Sequence, residues 1–310
     1  MNIALIFPGQ GSQYIGMGKD FFENSVVSKS IFESLDQTIG KKLSNLIFNG
    51  SEEELSKTTN SQPAIMSVSI AILREINARG LLKNKKVHSV AGHSLGEYSA
   101  LVANNSLSFE DSVKLLKIRS EAMQRSMPIG TGGMAAVLGQ SEEETLITIE
   151  KLKSHGKLFI ANDNTNGQIV LSGEIKAIDY LCENAKKLGA KRAIKLPVSA
   201  PFHCELINEA SLILEKELEK YSFNEFLYPL YSNVTAEKSD LNKIKTLLSK
   251  QIVNKVRWRE TIQNMIRDKV DTFVEIGPGN VLTNLLKRNL EKVKAVSIGK
   301  LSDLDKLDDI

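Results

Sequence analysis

The chain is poor in cysteine, with Cys182 and Cys204 the two thiols among 310 residues. They lie far apart and in no C-x-x-C pair. That argues against a disulfide framework or a metal site, and for a reducing, cytoplasmic setting. Nor is there an excess of either charge. Lys+Arg 40 against Asp+Glu 37 leaves +3, too even a balance for a nucleic-acid binder. No apolar run approaches the roughly 18 residues of a membrane span. Residues 1–11 carry no basic segment and no small-residue cleavage pattern, so they read as a first β-strand rather than an export signal. Repeats and low-complexity tracts are absent. With four histidines, His88, His93, His155 and His203, candidate bases are few.

The remainder is ordinary globular composition, 42% hydrophobic and 25% charged. Residues 3–7 and 87–91 read as strands and residues 98–103 as helical. A helix is expected over 63–77, with Pro63 in its first turn and Gly80 past its end. Ser108 with Asp111 opens another. Alternating strand and helix imply a parallel sheet covered by helices. Near residue 129 the pattern changes. Strands at 134–138, 158–161, 168–172 and 192–196 enclose helices from Ser141 and over 175–188, with a polar turn at 162–167. That is the β-α-β-β-α-β order of ferredoxin-like domains. The expected fold is therefore α/β. Residues 1–128 and 198–310 form a large α/β-hydrolase-like domain with a parallel sheet, and 129–197 an inserted ferredoxin-like subdomain. A strand at 272–276 and a helix at 281–289 help complete the large domain. The acidic tail at 303–309 reads as frayed surface.

Gly92-His93-Ser94-Leu95-Gly96-Glu97 places a serine between glycines on a strand-to-helix turn, the G-x-S-x-G nucleophile elbow. Without β-carbons at Gly92 and Gly96, strand and helix can cross closely, and the helix N-terminus supplies unsatisfied N–H donors. The alternative is a plain turn with a serine N-cap. A serine nucleophile needs a base. His93 sits on the elbow itself and points apart from its neighbour. His203, in the junction run Ser199-Ala200-Pro201-Phe202-His203-Cys204, is the better candidate, with a structural histidine as the alternative. No acid stands in an obvious place to orient it, but a carbonyl could accept its Nδ1 proton. Arg119 flanks an apolar helical stripe, where it either covers apolar surface or grips a carboxylate. Gln10 lies in the turn after the first strand, where its N–H could join that of Leu95 in an oxyanion hole. Cys204 beside His203 could be a thiol nucleophile but reads as a small buried hydrophobe, as does Cys182.

Taken in order, FPGQGSQ (7–13), GHSLGE (92–97), the Arg119 helix, SAPFH (199–203) and EIGPGNVLTNL (275–285) resemble the malonyl-CoA:acyl carrier protein transacylases, the stand-alone acyltransferases of type II fatty acid synthesis. The resemblance spans about residues 1–297. It implies Ser94 as nucleophile, His203 as base, Gln10 and Leu95 amides as oxyanion hole, and Arg119 as holder of the malonyl carboxylate. It also implies Gln251, through its main-chain carbonyl, as the group orienting His203, and Asn162 and Asn164 as cleft residues. Relatives often have proline where this chain has Lys255, so the turn near Gln251 is open. Phe202 resembles the residue of malonyl-selective domains, leaving little space for a methyl branch. The implied substrates are malonyl-CoA and acyl carrier protein, with no cofactor or metal and a monomeric enzyme. Because carrier proteins are acidic, Lys186, Lys187, Lys191, Arg192, Lys287 and Arg288 are candidates for a basic rim. A serine thioesterase or esterase shares the elbow but has no use for Arg119. A non-catalytic docking subunit has no use for the Ser94, His203 and Arg119 set.

Overall fold

The computed structural model describes residues 1–198, 200–289 and 293–310. Its strands, in chain order, are β1 (Ile3–Phe7), β2 (Val87–Gly92), β3 (Gly132–Leu138), β4 (Leu158–Thr165), β5 (Gln168–Glu174), β6 (Arg192–Lys195), β7 (Leu230–Tyr231), β8 (Thr272–Ile276) and β9 (Lys294–Ile298). Five of them form a parallel sheet in the order β7-β2-β1-β8-β9. β1 is central and buried along its whole length, as its unbroken apolar run requires of a strand covered on both faces. Ile3, Leu5 and Phe7 pack into one core cluster and Ala4 and Ile6 into another, the two-residue alternation of a pleat.

The other four form an antiparallel sheet in the order β4-β5-β3-β6. Helices Glu142–Lys151 and Ile175–Asn184 follow β3 and β5. The chain order is thus β-α-β-β-α-β, the ferredoxin-like plan expected above. Ser141 accepts from Glu144 N while the Glu144 side chain accepts from Ser141 N, a complete capping box. At Ser108 only the serine half forms, from Asp111 N.

Some expectations fail for physical reasons. The long helix runs Thr58–Ala78, so Pro63 lies inside it rather than in its first turn. Nearly every residue of that helix is buried, and packing overrides the local cost of proline. Four helices at Lys19–Asn24, Val26–Ile39, Leu43–Asn49 and Glu52–Ser56 fill a stretch where sequence patterning gave no elements. The polar run taken as a turn at 162–167 is mostly strand, since β4 continues to Thr165. Its outer edge pairs with Val256: Asp163 N donates to Val256 O at 2.9 Å and Val256 N to Ala161 O at 2.8 Å. The acidic tail is not frayed. It forms a 3₁₀ helix, Leu301–Leu307, with Leu304 and Leu307 buried. Cys182 is partly rather than fully buried. Among the described residues no helix is long and apolar enough to cross a membrane.

Candidate active site

The site lies beyond the carboxyl ends of β1 and β2, where a parallel sheet leaves its crevice. At the end of β2 the elbow turns sharply into the helix Gly96–Ala103. A Cβ on Gly92 would stand 1.9 Å from the Gly96 carbonyl carbon, and one on Gly96 2.3 Å from Phe7 O. Only glycine fits at either place. Ser94 takes the strain, with φ 51° in the left-handed region.

Asn233, which follows β7, braces that strained turn. Ser94 N donates to Asn233 Oδ1 at 2.7 Å, and Asn233 Nδ2 donates to Gly92 O at 2.7 Å. One fully buried amide therefore ties the start of the elbow to its serine.

Ser94 Oγ is 2.8 Å from His203 Nε2. His203 also has a positive φ, 61°, and its Nδ1 is 2.8 Å from the main-chain oxygen of Gln251. A carbonyl only accepts, so Nδ1 carries the proton and Nε2 is free to accept from Ser94. Burial, then the charge of Arg119, lowers the imidazole from 6.5 to about 3. His203 is thus neutral at physiological pH. Ser199, upstream of it, lies outside the described residues.

Arg119 is 1% exposed. It donates through Nη2 to Ser94 Oγ at 3.1 Å and to Gln251 Oε1 at 2.8 Å, and through Nη1 to Gln62 Oε1 at 2.5 Å. These contacts hold both Nη atoms among side-chain oxygens beside Ser94. Nε is buried with no partner among the described residues. The Gln251 amide continues the network, donating to Ser94 O at 3.0 Å and to Glu97 Oε2 at 2.6 Å. Glu97 is fully buried, and burial pushes its carboxyl up to about 7 against the pull of Gln251, Asn233 and Arg119.

Neither Gln10 N nor Leu95 N donates to a main-chain carbonyl among the described residues. Both residues line a cavity of about 160 Å³ together with Ser94, Arg119 and His203. Met134, Asn162, Leu196 and Phe202 line it from the insert and its junction, and Phe202 is buried. Asn164 makes a different contact, with its Oδ1 2.8 Å from His93 Nε2. His93 packs edge-on to Trp258 and does not approach Ser94 Oγ as a base would. Cys204 is buried, its thiol donates to Pro201 O, and burial pushes it up to about 12. It is no nucleophile. Lys255 pairs with Glu142 at 2.5 Å, which anchors the segment after Gln251 to the insert in the absence of a proline. No group of His, Cys, Asp or Glu among the described residues could hold a metal ion.

Gln62, Glu97 and Asn233 escaped the sequence reading. Glu97 lay inside the elbow motif, and its burial was the missing information. Gln62 and Asn233 carry no local signal. They matter only because distant segments meet.

The chain matches the acyl transferase domain family over residues 4–304. It is 44% identical over 301 residues to the malonyl CoA-acyl carrier protein transacylase of Bacillus subtilis (strain 168), covering 96% of this chain and 93% of that protein. Among solved structures it is similar to an acyl-carrier-protein-S-malonyltransferase from Bartonella henselae, with TM-score 0.95, 44% identity, and 99% and 98% of the two chains covered. It is also similar to a malonyl-transacylase solved in complex with a type II PKS acyl-carrier protein, with TM-score 0.95, 35% identity and both chains covered fully, 100% each.

Proposed function

This chain belongs to the acyl transferase domain family, and from that premise we propose that it moves a malonyl group from malonyl-CoA to the phosphopantetheine thiol of acyl carrier protein, for fatty acid synthesis. One observation carries the choice of acyl group. The Arg119 guanidinium stands 3.1 Å from the same Oγ that contacts His203. A cation so near a nucleophile, buried and partly unpartnered, suits an acyl group that ends in a carboxylate.

The reaction runs in two halves. Ser94 Oγ attacks the thioester carbonyl as His203 Nε2 takes its proton. The tetrahedral oxyanion is stabilised by the Gln10 and Leu95 amides. On collapse the carbon–sulfur bond breaks and the CoA sulfur leaves with the proton from His203. A site that disfavours the imidazolium, through burial and Arg119, drives that proton onward. The carrier-protein thiol then gives its proton to His203 and attacks the malonyl ester. Ser94 recovers the proton as it leaves. Gln251 O fixes the imidazole tautomer in place of a carboxylate.

The same reading treats residues 129–197 as an inserted unit, supported by its separate antiparallel sheet. It takes a monomeric enzyme that needs no cofactor, and a cytoplasmic setting supported by two free cysteines. For the carrier protein we assign a basic rim. Arg288 approaches Gln168 at 3.5 Å, Gln168 pairs with Leu138, and Leu138 pairs with Arg192. These pairings bring exposed Arg192 and Arg288 to one end of the antiparallel sheet, with Lys191 beside them.

The test is labelled malonyl-CoA. Wild type should carry the label on Ser94 and pass it to holo carrier protein, and Ser94→Ala should carry none. Label on the Ser94→Ala chain, or CoA release that continues past one equivalent per enzyme without carrier protein, would replace transfer by another chemistry or by hydrolysis.

A further inference from the structure

Four side chains link the carboxylate anchor to the oxyanion loop by a second route. Arg119 Nη1 donates to Gln62 Oε1 at 2.5 Å, Gln62 Nε2 is 3.0 Å from Thr58 Oγ1, and Thr58 Oγ1 is 3.0 Å from Gln10 Oε1. Thr58 and Gln62 are both buried. They are four residues apart in the helix Thr58–Ala78, so they share a face.

The polarity of this run is fixed at its first link. A guanidinium has donors only, so Gln62 must present its oxygen to Arg119 and its nitrogen to Thr58. The Thr58 hydroxyl then accepts from Gln62, and its own proton is left for Gln10. Every donor points the same way, from the buried cation to the loop after β1. Hydrogen bonds aligned in this manner polarise and stiffen one another. The loop is also tied by Gly11 N to Gln13 Oε1 at 2.8 Å, by Ser12 Oγ to Gly9 O at 2.8 Å and by Gln13 Nε2 to Ser56 Oγ at 3.4 Å. None of these ties touches the Gln10 side chain.

We propose that Thr58 is a positioning residue that couples occupancy of Arg119 to the aim of the Gln10 N–H. A carboxylate on Arg119 holds the guanidinium in one orientation. That orientation passes through Gln62 and Thr58 to the loop that meets the oxyanion. Selectivity for a carboxylate-bearing acyl group then arises in the rate of attack as well as in binding. The inference rests on the acyl-transfer reading above.

The experiment measures single-turnover acylation by malonyl-CoA and acetyl-CoA from the mass of the intact acyl-enzyme. It compares wild type, Thr58→Val, Thr58→Ser, Arg119→Ala and the Thr58→Val/Arg119→Ala double variant. Valine matches threonine in shape and removes only the hydroxyl. Thr58→Val should slow the maximal malonyl rate about tenfold with the half-saturating concentration little changed, since a misaimed donor acts on the transition state. Thr58→Ser should restore most of the rate. In the Arg119→Ala background, Thr58→Val should cost less than about twofold in acetyl transfer, because the chain has lost its cationic end. Gln10→Met, which removes the last link from the loop side, should reproduce the loss even where Thr58→Val does not fold. Undiminished malonyl rates, equal losses in both backgrounds, or a loss confined to half-saturation would overturn the proposal. A wild type that takes up no malonyl group on Ser94 would overturn the functional reading itself. A wild type that does, beside an unimpaired Thr58→Val, sinks only the coupling.

Discussion

His203 Nδ1 meets the main-chain oxygen of Gln251 at 2.8 Å, where many serine hydrolases place a carboxylate. A carbonyl fixes the tautomer and adds no negative charge. With no anion beside it, the imidazole is left to burial and to Arg119, and both disfavour protonation. The imidazole therefore stays neutral far below the usual histidine range.

The pH profile of acylation should reflect this. As the proposed base, His203 is active when neutral, and its value falls from 6.5 to about 3. The kcat/KM for malonyl-CoA should show no acid limb from His203 between pH 8 and pH 5. Initial rates across that interval check it. A limb near pH 6.5 that persists in Glu97→Gln would mean the working imidazole is solvated.

Arg119→Ala should lose the preference for malonyl over acetyl by about 10- to 100-fold, the equivalent of a charge-assisted pair of about 1.5–3 kcal/mol. Competition between the two CoA esters, read as acyl-enzyme mass, measures it. An unchanged ratio would place the carboxylate elsewhere.

Asn233→Ala should release the elbow. It removes the acceptor for Ser94 N and the donor to Gly92 O, both at 2.7 Å. The buried Gly92 carbonyl then loses its partner, at about 1–3 kcal/mol, and the partly buried Ser94 N–H loses its own. Acylation should slow about 10- to 100-fold as Ser94 drifts from His203. Normal acylation in a folded Asn233→Ala would show that the two glycines hold the turn alone.

The elbow and the order of elements were legible because their causes are local. Gly92 and Gly96 are demanded by close backbone approach, and β1 announces itself as an apolar run. The partners that complete the site were not legible, because their causes are distant. Any residue offers a main-chain carbonyl, so nothing but the resemblance pointed to Gln251. Residues 162–165 looked like a turn because they are polar. Asp163 is in fact buried and gripped by Arg259, 2.6 Å from Nη2. The tail was read from its acids, yet Leu304 and Leu307, three residues apart, anchor it.

Transfer to carrier protein should be salt-sensitive if the rim guides docking. Arg192→Glu with Arg288→Glu should raise the KM for carrier protein and flatten its ionic-strength dependence, with malonyl-CoA acylation unchanged. Steady-state transfer from 20 to 300 mM salt checks both. Equal effects on the two half-reactions would assign these arginines another role.

Glu97 and His203 bend the stability–pH profile in opposite directions. Glu97 is raised from 4.5 to about 7, by burial first. Between those values the unfolded chain has released this proton and the folded chain keeps it, so stability falls as pH rises. His203 is lowered from 6.5 to about 3, so over that interval the unfolded chain holds a proton the folded chain lacks, and stability rises with pH. From pH 4.5 to 6.5 the two windows overlap and offset each other. Glu97→Gln removes the falling contribution and leaves the rising one. Relative to wild type, its unfolding free energy should climb across that overlap by up to about 1.4 kcal/mol per pH unit. Urea melts of both proteins at three pH values within the overlap measure the difference. Parallel profiles would mean that Glu97 is already ionised in the folded protein, held by Gln251 and Arg119 against its burial.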